Sequence, residues 1–487
     1  MNILKEAREA PRDIKLLWTS VFLRLFAYGL TNQVLTLFLH GIRMKEDRIG
    51  LFMSLTLIGD VLCSYVLTWY ADAWGRRKVL IYGAIMMTMS GVVFAFNENF
   101  HILLFFAIFG VISPSSDEVG PFKSIEESMI AHLSPNHKRP EVYAMHALVG
   151  TMGSALGAIT SGGFIDLLQY FGIAETNLQC YKYVFLLYAA FALVKVFIMI
   201  ALSEKTELDG HFPEHLDEDT LGPAVANDEL APLMEEAHLH HPTPATAAGA
   251  EAANNATHGA TDVADVTSED SGLSVDPSTT SKRSALSPET IAILMKLLVI
   301  FMIDSFGAGF MTSGWVVFYY KKFFKISSFA LGALFFTCQL VMASSTVVSS
   351  ALARMFGPVR TTLLVQIPSG IFEILIPFCQ HSLPLSIIML NLHSSTTAMD
   401  VPPRQILLTN LITPKDLTRV MGIVNIGKTF ARCVGPYFTG VLAKDGYLWF
   451  CFIISGSLVI VADLVLACSF LHVDAPILKQ INSRAHT

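Results

Sequence analysis

Residues 70–78, Tyr-Ala-Asp-Ala-Trp-Gly-Arg-Arg-Lys, carry almost all the charge between two long apolar runs. An acid, a glycine and three consecutive cations follow one another there: Asp72, Gly75, Arg76, Arg77 and Lys78. The run before, roughly 49–69, and the run after, roughly 79–96, are each long enough to cross a bilayer core as a helix at about 1.5 Å per residue. The stretch therefore reads as a short loop between two membrane helices. Its cations put it on the cytoplasmic side, and its glycine allows the tight turn. A plain topology anchor is the simpler reading of the charge.

A second copy lies 282 residues on. Leu352 to Arg360 reads LARMFGPVR, so that Gly357 matches Gly75, Arg360 matches Lys78, and Arg354 stands where Asp72 does. The same offset carries Glu118 onto Asp400 and Pro121 onto Pro403. Two halves with one plan are what a duplicated membrane fold produces. The first loop resembles the signature of the major facilitator superfamily, which runs Gly, three residues, Asp, two residues, Gly, Arg, then Arg or Lys. Asp72, Gly75, Arg76 and Arg77 match it, with Thr68 in place of the first Gly. The resemblance implies an all-α polytopic membrane protein of twelve transmembrane helices in two pseudo-symmetric six-helix bundles.

Composition agrees with a membrane solvent. Of the 487 residues 53 % are apolar and 15 % charged, with a mean hydropathy of +0.52, whereas soluble chains are about a quarter charged. The net charge of −7 is concentrated in one region. Residues 204–276 hold seventeen acids against Lys205, a net of −16, so the remainder carries about +9, the difference from the whole. No nucleic-acid partner follows from such a balance. Most of the seven cysteines lie inside apolar runs and read as small core residues.

Apolar runs fall near 16–40, 49–70, 78–97, 102–133, 143–170, 182–203, 291–320, 328–352, 359–380, 384–409, 417–443 and 447–471. The organisation expected is an N-terminal tail 1–15, a six-helix bundle 16–203, an acidic linker 204–287, a second bundle 288–471 and a tail 472–487. An even number of crossings puts both termini on one side. The cations before the first run and in the Arg76 and Arg360 loops make that side cytoplasmic. The linker is rich in Ala, Ser, Thr, Pro and acids and cannot bury enough apolar surface to fold alone. It contains His211, His215, His238, His240, His241 and His258 at no recurring spacing, which reads as solvated linker rather than a metal site.

Ionisable groups inside a span are costly unless paired or watered, so each is a candidate for function. Arg24, Asp60, Glu118, Glu126, Asp304, Asp400 and Arg432 are expected to line a substrate and proton cavity, with Lys195 and Glu373 also near mid-span. Arg24 and Asp60 lie at similar depth and are equally readable as a structural ion pair. In the fourth run Pro114, Gly120 and Pro121 interrupt the helix beside acids, and in the tenth Asp400 precedes Pro402 and Pro403 with Arg404 just after. Breaks at related positions point to a central site. Glu118 and Glu126, eight residues apart, share a helix face.

The sequence is thus read as a secondary transporter moving a small solute by alternating access, coupled to protons. Asp72, Gly75, Arg76, Arg77, Arg354 and Arg360 form a latch at the cytoplasmic ends of the bundles. Lipid, the solute and protons are the partners, and a monomer without cofactor or resident metal is expected, in the plasma membrane or a vacuolar or other organellar membrane. A sensor or scaffold with the same fold, or a metal-ion exporter using the linker histidines, are the alternatives. No P-loop, metalloprotease His pair or nucleophile elbow points to an enzyme.

Overall fold

In a bilayer the backbone must bond to itself, which leaves helices or closed barrels. The computed structural model describes residues 10–110, 112, 121–134, 139–207, 288–412 and 414–485. Among them are seventeen α-helices and no strand. The first half contains α1 (Arg12–Asn32), α2 (Leu35–Gly41), α3 (Glu46–Trp74), α4 (Arg76–Phe96), α5 (Phe100–Phe109), α6 (Pro121–Leu133), α7 (Arg139–Tyr170) and α8 (Asn177–Ile200). The second contains α9 (Pro288–Phe310), α10 (Ser313–Phe324), α11 (Ser328–Phe356), α12 (Pro358–Leu375), α13 (Leu383–Ala398), α14 (Val401–Leu411), α15 (Pro414–Lys444), α16 (Leu448–Phe470) and α17 (Asp474–Ala485).

Nine stretches among the described residues are long and apolar enough to span a membrane. The helices α5, α6, α13 and α14 and the more charged α15 lie where the remaining apolar runs do, which is consistent with the expected twelve. The first and seventh apolar runs are each two helices rather than one. After α1, Thr31 turns its hydroxyl back to the Ala27 and Tyr28 carbonyls, 3.3 and 3.2 Å away. Such back-bonding bends helices, and α2 restarts beyond Gln33 and Val34. The second break, at Met311 and Thr312, meets the first: Ser313 Oγ donates to Asn32 Oδ1 at 3.0 Å.

The two halves repeat each other. α1 packs on α7 as α9 packs on α15, and α4 packs on α8 as α12 packs on α16. In both halves the first of these contacts is backbone to backbone. A Cβ on Gly157 would lie 2.1 Å from the Phe26 carbonyl oxygen and 3.1 Å from Gly29 Cα, and one on Gly435 would lie 2.3 Å from the Gly309 carbonyl carbon. Small residues let membrane helices come this close.

Both signature loops turn on glycines with positive φ, Gly75 at 95° and Gly357 at 89°. The helix that follows each loop is capped by a carboxylate from beyond its own bundle. Arg76 N and Arg77 N donate to Glu207 at 2.8 and 3.1 Å, and Val359 N and Arg360 N to Asp474 at 2.8 and 2.9 Å. Exposed N–H groups and the positive end of the helix dipole favour an anion there. The segment read as linker therefore starts with an ordered turn, Glu204–Thr206, and the segment read as tail starts with helix α17. Residues 208–287, with their histidines, lie outside the described residues.

Contacts between the halves gather at the end opposite the two loops. α3 meets α15 where a Cβ on Gly50 would lie 2.5 Å from the Pro436 carbonyl oxygen, and Tyr437 N donates to Ser54 Oγ at 3.0 Å. α7 meets α11 where the Asp166 carboxylate accepts from Ser328 N and Phe329 N at 3.3 and 3.0 Å, and where Gln339 Nε2 donates to Ser154 Oγ at 3.0 Å. Ion pairs Lys444–Asp47 and Lys322–Glu46 lie at the rim of the same end.

Candidate functional site

Two buried charge clusters occupy the interiors of the two halves. In the first, Glu126 of α6 stands between two cations. Arg24 Nη2 of α1 donates to Oε2 at 2.7 Å, Lys195 Nζ of α8 lies 3.5 Å from Oε1, and Ser20 Oγ donates to Oε1 at 2.9 Å. The Phe122 ring, one turn before Glu126, has Lys195 Nζ 4.6 Å and Arg24 Cζ 5.9 Å from its centroid, distances at which a ring face attracts a cation. Gly83 of α4 leaves the space that Phe122 fills; a Cβ there would lie 2.1 Å from the ring. The three charged side chains are 6 % exposed or less.

In the second cluster the central ion is a guanidinium. Arg404 of α14 donates through Nη1 to Asp304 Oδ2 of α9 at 2.7 Å and is paired through Nε with Asp400 Oδ2 one turn earlier. Its Nη2 faces Asp463 Oδ1 of α16 at 3.6 Å. Phe301 lies beneath, its centroid 5.1 Å from Arg404 Cζ and 6.0 Å from Lys428 Nζ. Next to it Ser369 bonds to Thr397 Oγ1 at 2.6 Å and to His393 Nδ1 at 3.1 Å, and Glu373 is buried.

The clusters sit at equivalent positions with the signs exchanged. Gly29 and Gly309, which make the matching close contacts, are 280 residues apart, as are Arg24 and Asp304. Gly157 and Gly435 are 278 apart, as are Glu126 and Arg404. Gly91 rests on Tyr188 as Gly370 rests on Gly456, and the 268 residues from Tyr188 to Gly456 equal those from Lys195 to Asp463. Where the first half has cation, anion, cation, the second has anion, cation, anion.

The structure thus joins Arg24 to Glu126, and Asp304 to Asp400 through Arg404. Arg24 does not pair with Asp60: its carboxylate partner is Glu126. Asp60 is 2 % exposed on α3, neither oxygen has a hydrogen-bond partner among the described residues, and it lies near the thiols of Cys63 and Cys433. Arg432 is half-buried on α15, its carbonyl against Gly309. Glu118 lies outside the described residues, as does the side chain of Asp72. Arg77 Nη2 donates to the Ile200 carbonyl at 2.5 Å, so the contacts seen for Gly75, Arg76 and Arg77, like that of Arg360, stay within their own half. Gly75 faces Glu207, and Arg354 lies exposed at the end of α11.

Of the cluster members outside the expected cavity set, the sequence points to Lys195 near mid-span and to Arg404 just after the Asp400 break, and not to Asp463, Ser20 or Phe122. A lone acid in the apolar run 453–468 was the available signal for Asp463. Nothing in the sequence marks Ser20 or Phe122.

The profile of the Major Facilitator Superfamily matches residues 17–365 and 297–486. An uncharacterized membrane protein of Saccharomyces cerevisiae is 66 % identical over 475 residues, 97 % of each chain. Among solved structures, the human organic anion transporter MFSD10 is similar over 93 % of this chain and 99 % of its own, with 19 % identity and a TM-score of 0.53. The nucleoside transporter NupG is similar over 94 % and 99 %, with 12 % identity and a TM-score of 0.63. The signature loop, the repeated halves and these matches agree: the chain belongs to the Major Facilitator Superfamily and is an integral multi-pass membrane transporter.

Proposed function

We propose that the chain is a secondary active carrier that moves a small solute by alternating access between its two halves, driven by protons. The observation that carries this reading is the pair of charge clusters of opposite sign at equivalent positions, one per half, the second beside the α13–α14 break. Buried charge of this kind is expensive in a membrane and is kept where ions or polar solutes pass. Contacts between the halves at the end away from the signature loops fit a carrier closed at that end, with the loop end as the opening through which solute reaches Arg24, Glu126, Asp304 and Asp400.

The cations of the loops put that opening, with both termini, in the cytoplasm. The bundles are then residues 16–203 and 288–471, each extended by the capping segment that follows it, around an acidic linker. The chain works as a monomer. Asp72, Gly75, Arg76, Arg77, Arg354 and Arg360 form a latch made when the loop end closes. Such a latch acts through the difference in its energy between the two states.

Purified protein in liposomes under an imposed pH gradient, offered pooled metabolites and read by mass spectrometry, tests the reading. Accumulation of a solute that stops in Glu126→Gln is expected, and no solute moved under any gradient would refute it. Asp72→Asn should change the rate of transport and leave binding intact; equal loss of both counts against the latch. Deleting residues 208–280 while keeping Glu207 should leave flux in place, whereas a sensor acting through the linker would fall silent.

A further inference from the structure

Asp304, Asp400 and Asp463 surround the single guanidinium of Arg404 in the second half. Side-chain exposure is 8 % for Arg404 and Asp400, 13 % for Asp304 and 1 % for Asp463. Three carboxylates against one cation leave two negative charges in a region of low dielectric, where each unpaired ion costs several kcal/mol. Among the described residues, the other charges near the cluster do not restore balance. α15 brings one cation, Lys428, 6.0 Å from the Phe301 centroid, but α12 brings a further acid, Glu373, and α13 brings His393. With like charges this close, one carboxyl takes up a proton.

Geometry selects which. Asp304 is bonded to Arg404 at 2.7 Å and Asp400 is paired with its Nε. Asp463 stands off at 3.6 Å, is fully buried, and neither of its oxygens has a hydrogen-bond partner among the described residues. It is the carboxylate whose charge is least compensated. We propose that Asp304, Asp400 and Asp463, gathered on Arg404, form the proton-binding site of the transport cycle, with Asp463 holding the proton while the site is closed. This rests on the proton-coupled reading above and names the group that carries the proton.

Asp304, the most exposed member, is the way in. A hydronium ion gives its proton through Asp304 to a carboxylate oxygen of Asp463, forming one O–H bond and leaving water; on release water takes the proton back. The neutral carboxyl lets Arg404 serve Asp304 and Asp400 alone. The ionised one draws the guanidinium toward α16, and since Arg404 and Asp400 flank the α13–α14 break, this shift bears on the helix junction.

Infrared titration of the full-length protein in lipid nanodiscs, with the proton as the probe, tests this directly. A neutral-carboxyl stretch that titrates in the native chain, disappears in Asp463→Asn and moves in frequency in Asp463→Glu is the expected result. A band that survives Asp463→Asn unchanged, or no titrating band in the native chain, overturns the proposal. Where Asp463→Asn does not fold, the frequency shift in Asp463→Glu decides alone. Flux of the pooled metabolites, measured separately both under a pH gradient and down their own concentration gradients, keeps the two readings apart. Flux without a titrating band refutes the proton site only; a titrating band without flux supports the site and refutes the carrier.

Discussion

The two halves of this protein solve one packing problem with opposite signs. In the first, a single carboxylate, Glu126, is shared by Arg24 and Lys195; in the second, a single guanidinium, Arg404, is shared by Asp304, Asp400 and Asp463. The helices that bring these groups together correspond, as the matching glycine contacts establish. Duplication has therefore preserved the seat of the charges and not their identity. A seat between three helices needs an ion with partners on both sides, and either sign meets that need. The second half differs in one further respect: its flanking charges outnumber its central ion by more.

Removing a central ion should cost more than removing a flanking one, and this is the sharpest way to break the comparison. Arg404→Leu leaves three buried acids without a cation and should destabilise the protein by about 5 kcal/mol, the upper end for breaking a buried pair. Loss of folded protein in size-exclusion and thermal unfolding measurements would register it. Glu126→Leu leaves two cations and should cost about 3–4 kcal/mol by the same argument. If either behaves like a surface substitution, the clusters are not the internal supports described here.

Flanking ions come next. Arg24→Leu removes a charged hydrogen bond but leaves Glu126 with Lys195, so a loss of about 2 kcal/mol is expected in thermal unfolding. The smallest effects belong to the two helix caps. Asp474→Asn should lower stability by about 1 kcal/mol, and Glu207→Gln, which is less buried, by less, because a neutral side chain keeps part of the hydrogen bonding and loses the dipole interaction. An equal and large loss at both caps would mean that they hold the bundles together rather than only ending helices.

Much of the architecture was legible in the one-dimensional pattern. Long apolar runs, the repeated glycine-and-cation loops and mid-span prolines follow from what a bilayer permits, and the helices appear where the runs do. The α13–α14 break beside Asp400 was readable because Pro402 and Pro403 cannot continue a helix interior. The breaks after α1 and α9 were not readable. Thr31 and Thr312 carry no helix-breaking signal in the sequence, and only in the fold do the two interruptions meet across the halves through Asn32 and Ser313. The carboxylate caps were hidden for a similar reason: Glu207 and Asp474 lie in polar stretches that look like linker and tail until the helix ends they serve come into view.

By itself the chain determined the solvent it lives in, an all-helical multi-pass fold and the residues too polar to face lipid, because hydropathy and helix length are local properties. Only the folded molecule decided the partners of those residues. Arg24 might have met Asp60, 36 positions away in the sequence, yet pairs with Glu126 at a separation of 102. Ion pairing falls off within a few ångströms, and which groups come that close is set by how the helices pack.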